Sequence, residues 1–217
     1  MFQLPSSTLV NRKIPKNKFY EKLKANHHLR ELFTDQVESI IWKHKLSKDT
    51  IRLEPKENVE EIQVFEVYLK KKSYSFDLLR SIDKAIPYPI LYVLMYGDQV
   101  KLAIAYKERN QIDGNRSVVR SYHETDWQPV ESIELDILQG MDLKAVYENI
   151  IRQLLPIKMK PEMELSAVLE RQSQIDKLMR ECERLESKLR AEKQFNRKVE
   201  LNMELQRKKK ELNQLLN

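Results

Sequence analysis

Apolar residues recur along this chain in two rhythms, and the change from one to the other divides it. After position 161 there is neither Gly nor Pro, and Ile175, Leu178, Cys182, Leu185 and Leu189 follow one another three and four residues apart. Lys, Arg and Glu fill the places between them. Heptad spacing with charged flanks predicts a long exposed helix whose apolar seam needs a partner. The expected coiled-coil interface is therefore Ile175, Leu178, Cys182, Leu185, Leu189 and Val199. Glu192 and Asn196 interrupt the seam, which resumes out of register through Val199, Leu201, Met203, Leu205, Leu212 and Leu216. The stretch EKQFNRKVELN (192–202) is then either a local stutter in a homodimeric coiled coil, or the place where the arm leaves one partner for another or docks on its own domain.

Upstream of the arm the rhythm is mixed. The first 20 residues, with two Pro and many turn formers, read as an ordered arm lying across the domain. Asn17 is a plausible cap for a helix carrying Phe19, Tyr20, Leu23, Leu29, Leu32 and Phe33, and Thr34 for a second helix carrying Val37, Ile40, Ile41 and His44. The run 62–69, rich in Val, Ile, Phe and Tyr, predicts a strand. Ser75 caps a helix that runs to about 86, where Pro87 and Pro89 end it. The continuous apolar run 90–96 has the character of a central strand. Gly97-Asp98 marks a turn into a strand over 100–106, which makes this the clearest hairpin in the chain. A polar loop containing Asn110, Asp113 and Gly114 leads to a strand over 117–123, in which Arg116 and Arg120 share a face. A last helix spans 143–155, after which Pro156 and Pro161 separate domain from arm. The order predicts an α+β domain over 1–158, with a small mixed or antiparallel sheet and flanking helices, followed by a coiled-coil helical arm over 162–217.

Composition narrows the classes. With 217 residues, 41% hydrophobic and 33% charged, the chain has room for one modest core and an appendage. Three Gly and a mean hydropathy of -0.62 disfavour both a glycine-rich nucleotide-binding fold and a low-complexity disordered chain. The single Cys leaves no internal disulfide framework and fits a reducing, cytoplasmic setting. No apolar run approaches the roughly 20 residues needed to span a bilayer, so no membrane partner is expected. A net charge of +6 and a pI near 9.2 permit DNA or another acidic partner without requiring one.

Signals for chemistry are weaker. Period two places Glu66 on an otherwise largely apolar strand face with Ile62, Val64, Tyr68 and Lys70. A strand carboxylate near a Lys is how many restriction-type nucleases hold magnesium and orient water, and Glu66, Asp83 and Lys70 are the candidate catalytic set. The usual Glu-x-Lys spacing is missing, since Lys70 lies four residues on. The competing reading pairs Glu66 with a neighbouring base, Lys84 or Arg80, at the edge of the core. Asp98 reads as a turn residue. The four His show no metal spacing, and the usual nucleotide, serine-hydrolase and dinucleotide signatures are missing, so neither metal nor cofactor is expected. Basic residues gather at Lys13, Lys16, Lys18, Lys22 and Lys24, at 70–72 and at 207–210. The first group, with Phe19 and Tyr20 interleaved for stacking, is the expected nucleic-acid surface, although both aromatics also fit the stripe of the first helix.

Four segments together resemble a known bacterial family: IPKNKFY (14–20), LFTDQVESIIWKHKLS (32–47), IDKAIPYPILYVL (82–94) and EKQFNRKVELN (192–202). They look like the family catalogued as domain of unknown function 4391, and the resemblance covers nearly the whole chain. It implies an accessory subunit found beside helicases and DNA methyltransferases of restriction-like and phage-defence systems. It implies no catalytic residues. The expected function is a non-catalytic interaction subunit that binds a helicase, a methyltransferase or DNA and assembles through its coiled-coil arm, as a homo-oligomer or with another helix. A divergent metal-dependent nuclease and a stand-alone DNA-binding module are the alternatives.

Overall fold

The Val-, Ile- and Tyr-rich segments of the first part of the chain align in one seven-stranded mixed sheet. The computed structural model describes residues 2–109, 117–156 and 163–216 and divides into two units, Met1–Leu155 and Pro156–Asn217. In chain order the first unit contains β1 (Leu9–Lys13), α1 (Lys16–Leu23), α2 (His27–Gln36), β2 (Val37–Ser47) and the short α3 (Lys48–Ile51). It continues with β3 (Glu61–Leu69), α4 (Phe76–Ala85), β4 (Ile90–Tyr96), β5 (Gln99–Arg109), β6 (Ser117–Glu124), β7 (Gln128–Pro129) and α5 (Leu143–Leu154). The strands lie in the order β1-β2-β3-β4-β5-β6, with β7 on β5. Only β3 and β4 are parallel, because α4 carries the chain back across the sheet between them.

Both faces of the sheet are covered. Phe65, Val67 and Leu69 of β3, with Ile90, Tyr92 and Leu94 of β4, form a core with Phe19 of α1, Phe33 of α2 and Leu78, Leu79 and Ile82 of α4. The three α4 anchors are completely buried and contribute about 1.5–3 kcal/mol each. Residues 62, 64, 91, 93, 102 and 104 point the other way and are equally buried. On that account β4 carries the unbroken apolar run that its sequence showed. Helix α5, with Leu143, Val146, Ile150 and Ile151 buried, packs against β3, β5 and β6. Ser75 caps α4 by accepting from the Asp77 N–H, and Gly97, at φ 59°, makes the two-residue turn between β4 and β5.

Two expectations about the N-terminal third are corrected. The helical stripe over 19–33 is two helices, because Lys24 adopts a left-handed conformation at φ 48° and ends α1. The effective cap is Asn26, whose side chain accepts from the Leu29 N–H at 2.9 Å, whereas Pro15 precedes α1 and Thr34 lies inside α2. The second predicted helix, over Val37–His44, is strand β2, paired on one side with β1 and on the other with β3. Its register shifts between Val37 and Ser39 and again between Trp42 and His44. Each extra residue inverts the alternation, so Val37 and Ile40 both reach the same core at a spacing that imitates a helix. The N-terminal segment read as an arm includes the edge strand β1. Asn110, Asp113, Gly114, Arg116 and Pro161 lie outside the described residues, as do the expected boundaries at 158 and 162.

The second unit consists of α6 (Leu165–Ala191) and α7 (Phe195–Leu216), two helices where one was expected. They run antiparallel. Arg171 Nε donates to the Leu215 carbonyl at 2.9 Å, and Lys208 and Lys209 pair with Glu181 and Glu186 at 2.9 and 2.8 Å. Between the helices Cys182, Leu185 and Leu205 are buried together, flanked by Leu189 and Leu201. The turn falls where the seam breaks: Glu192 accepts from the backbone N–H groups of Lys193 and Gln194, which satisfies donors at the start of α7. Among the described residues no helix is long and apolar enough to cross a membrane.

Candidate functional site

Glu66 sits at the middle of β3, 3% exposed, on the face turned away from α4. Lys43 answers it at 3.4 Å and the Tyr68 hydroxyl donates to it at 3.2 Å. Lys43 is the extra residue of the β2 bulge between Trp42 and His44, and the bulge turns it toward Glu66. The partner is thus neither Lys84 nor Arg80; Arg80 pairs with Asp77 on α4 itself. His44, next along β2, shares a hydrogen bond of 2.9 Å with the Thr8 hydroxyl. Burial lowers the His44 pKa first and the Lys43 charge lowers it further, with Glu66 pulling the other way. Burial, reinforced by Glu66, raises the Tyr68 phenol. His44 is therefore neutral at pH 7 and Tyr68 keeps its proton.

Asp83 lies on the other side of the sheet, on α4, with a side chain that is fully buried. Lys107 of β5 faces it at 2.8 Å as an ion pair, and the Tyr122 hydroxyl of β6 donates to its other oxygen at 2.5 Å. The remaining protons of Lys107 go to the Ile86 and Tyr88 carbonyls at 3.0 and 2.6 Å. Burial lowers the Lys107 pKa and Asp83 opposes that shift, while burial and Asp83 together push the phenols of Tyr92 and Tyr122 up. The lysine fastens the end of α4 and the Pro87–Pro89 turn onto β5. Lys107 and Tyr122 have nothing local to announce them; only the β alternation of residues 99–109 and 117–124 hints that they turn inward.

Glu66, Asp83 and Lys70 therefore do not meet. The sheet separates the two carboxylates, each has a lysine of its own, and Lys70 is exposed beyond the end of β3. Among the described residues no group of three or more His, Cys, Asp or Glu is placed to hold a metal ion. The broader depressions of the surface lie elsewhere, one at the turn of the hairpin around Lys188, Gln194 and Arg197, another around Asn26, Leu32, Asp77 and Lys84.

The first basic group is dispersed. Lys16 donates to the Val37 carbonyl at 2.5 Å, Lys18 stands 3.9 Å from Glu21, and Lys13 and Lys22 are exposed. Phe19 is 3% exposed and stacks on Phe33 at 5.5 Å, and Tyr20 meets Phe33 edge-on, so these rings belong to the core and not to a base-stacking surface. In the arm, Ile175, Cys182 and Leu185 are buried and Leu178 and Leu189 half-buried. Val199 is 42% exposed and lies off the seam.

No curated protein and no solved structure matches the chain. A family model does, from residue 2 to residue 212, so that the edge strand, the bulged β2, the α4 crossover and most of the hairpin fall within a single match. The chain belongs to the family described as Domain of unknown function (DUF4391).

Proposed function

We propose that this protein is a non-catalytic interaction subunit of a bacterial DNA-processing or phage-defence complex, and that its helical arm is the assembly element. The observation that carries this reading is the outer face of α7. The hairpin closes its own seam with Cys182, Leu185 and Leu205, yet Phe195, Val199 and Met203 remain 78, 42 and 69% exposed. Spaced four residues apart, they make one apolar stripe along the helix. Large apolar side chains left in a row outside a satisfied seam fit a helix or groove of another subunit. The partner that the family resemblance implies is a helicase or a DNA methyltransferase.

Light scattering on the full chain and on a Phe195→Glu/Val199→Glu/Met203→Glu variant, each alone and mixed with such a subunit, tests the proposal. A complex formed by the unmodified chain and lost in the variant is the expected result. Equal complex formation by both would remove the stripe from the interface. A dimer of the chain alone that the substitutions dissolve would assign the stripe to a second copy.

A further inference from the structure

Many lysines of the first unit have carboxylate partners: Lys43, Lys45, Lys56 and Lys144 each sit within 3.4 Å of one. One end of the sheet is different. Strands β1 and β3 both run antiparallel to β2, and β4 runs parallel to β3, so β1, β3 and β4 all finish on the same side. Lys13 is the last residue of β1, Lys70, Lys71 and Lys72 follow β3, and Tyr96 ends β4. Strand β5 begins there with Lys101 near its start, and β6 ends there, bringing Trp127 into the link to β7. Lys16 joins the group, because its ammonium rests on the carbonyl of Val37, which pairs with Leu69.

Among the described residues Lys13, Lys70, Lys71 and Lys72 take part in no ion pair. They also crowd Lys16: after burial, the neighbouring charges of Lys70 and Lys13 loosen its proton, and Glu38 is the carboxylate that opposes them. A merely solvated lysine face spreads its charges, since like charges within a Debye length of about 8–10 Å repel. Aromatic surface accompanies the cations. The ammonium groups of Lys72 and Lys101 each lie 5.9 Å from the Trp127 ring centre, and Phe76 and Tyr96 are 38 and 39% exposed. Lys101 is neutralised by Glu124 at 2.7 Å, which leaves Lys72 as the uncompensated cation beside the indole. The carboxyl ends of parallel strands joined by a helix are where open α/β sheets take their ligands. Converging cations interleaved with aromatic faces suit a single strand, whose phosphates need neutralising and whose bases are free to stack.

We infer that this strand-end rim binds single-stranded nucleic acid, with Lys13, Lys16, Lys70 and Lys72 on the phosphate backbone and Trp127 and Phe76 against unpaired bases. The surface is separate from the arm and does not depend on the assembly role proposed for it. It also differs from the α1 lysines that the sequence singled out, because Lys18 and Lys22 lie outside it.

Fluorescence anisotropy of a labelled oligothymidine with the full chain, over a series of potassium chloride concentrations, tests the inference. Replacing Lys70, Lys71 and Lys72 together by Ala lowers affinity by roughly tenfold or more and flattens the logarithmic salt slope by about 2, at ~0.7 per lost phosphate contact. The corresponding Lys→Arg variant keeps the binding, and Lys18→Ala/Lys22→Ala leaves it within about twofold. Trp127→Ala weakens the single strand by roughly tenfold while leaving a duplex of the same length little changed. Circular dichroism melting on every variant separates lost binding from lost folding. The inference fails if the full chain does not bind the oligothymidine in a salt-dependent way, or if the folded Lys→Ala variant binds as the unmodified chain does. It fails equally if the duplex binds more tightly than the single strand, or if the rim lysines are needed for anionic phosphatidylglycerol vesicles and not for the oligonucleotide.

Discussion

The sheet unit and the helical hairpin handle charge in opposite ways. In the first unit, Asp83 and Lys107 form an ion pair inside the fold, with side chains 0 and 3% exposed, and the lysine also gathers the two carbonyls at the end of α4. In the hairpin, Lys208 and Lys209 reach across the outside to Glu181 and Glu186, beside a seam with three buried residues. A buried pair adds little net stability over a well-packed apolar substitute, but removing one member strands a charge without water. Exposed pairs are screened and tolerate loss. The sheet unit is therefore a structure with one preferred geometry, enforced from inside. The hairpin is a narrow seam whose outer face is still open to other contacts.

Breaking the buried pair should give the largest effect. Asp83→Ala or Lys107→Ala is expected to destabilise the first unit by about 3–5 kcal/mol in denaturant titration, whereas Asp83→Leu with Lys107→Met returns much of that loss. If each single variant unfolded like the unmodified protein, the pair would not be holding α4 to β5. Next comes the seam. Leu185→Ala or Leu205→Ala should cost about 2–4 kcal/mol and shift a calorimetric transition of the hairpin, leaving the sheet unit's transition in place. A common shift of both transitions would show that the units unfold together.

The smallest effect is a pH dependence confined to the sheet unit. The His44 pKa in the folded protein lies below its ordinary 6.5, so the unfolded chain takes up that proton first as the solution is acidified. Stability is complete above about pH 6.5 and declines as the pH falls below it. His44→Gln should remove that part of the decline and leave the hairpin's response to acid untouched. An unchanged profile in this variant would place the titrating group elsewhere.

The legible parts of the fold were those written in neighbouring residues. The Ser75 cap, the Pro87 and Pro89 stop, the apolar run of β4 and the Gly97-Asp98 turn each act over a few positions, and α4, β4 and β5 follow from them. Strand β2 was misread because two bulges break its alternation, and bulges depend on what the partner strands require. The ion pairs were illegible for a related reason. Glu66 finds Lys43 across a strand pair, and Asp83 finds Lys107 from a helix, 24 residues along the chain. The break at Glu192 was visible in the heptads, but whether the arm met a partner there or turned back on itself was not. The charge clusters were visible as well; which of them converge depends on strand directions that only the assembled sheet supplies.

The sheet's strand order, β1 to β6 in sequence, has a consequence for how the chain comes together in time. Each new strand can add to the one made just before it, so little of the sheet waits for a distant segment, and early intermediates expose a single growing edge. The exception is the step from β3 to β4, which must close through α4 before the parallel ladder can form. Kinetically, that step is the natural place for a pause during synthesis, and the α4 residues that anchor it are the ones whose truncation should slow folding more than it speeds unfolding.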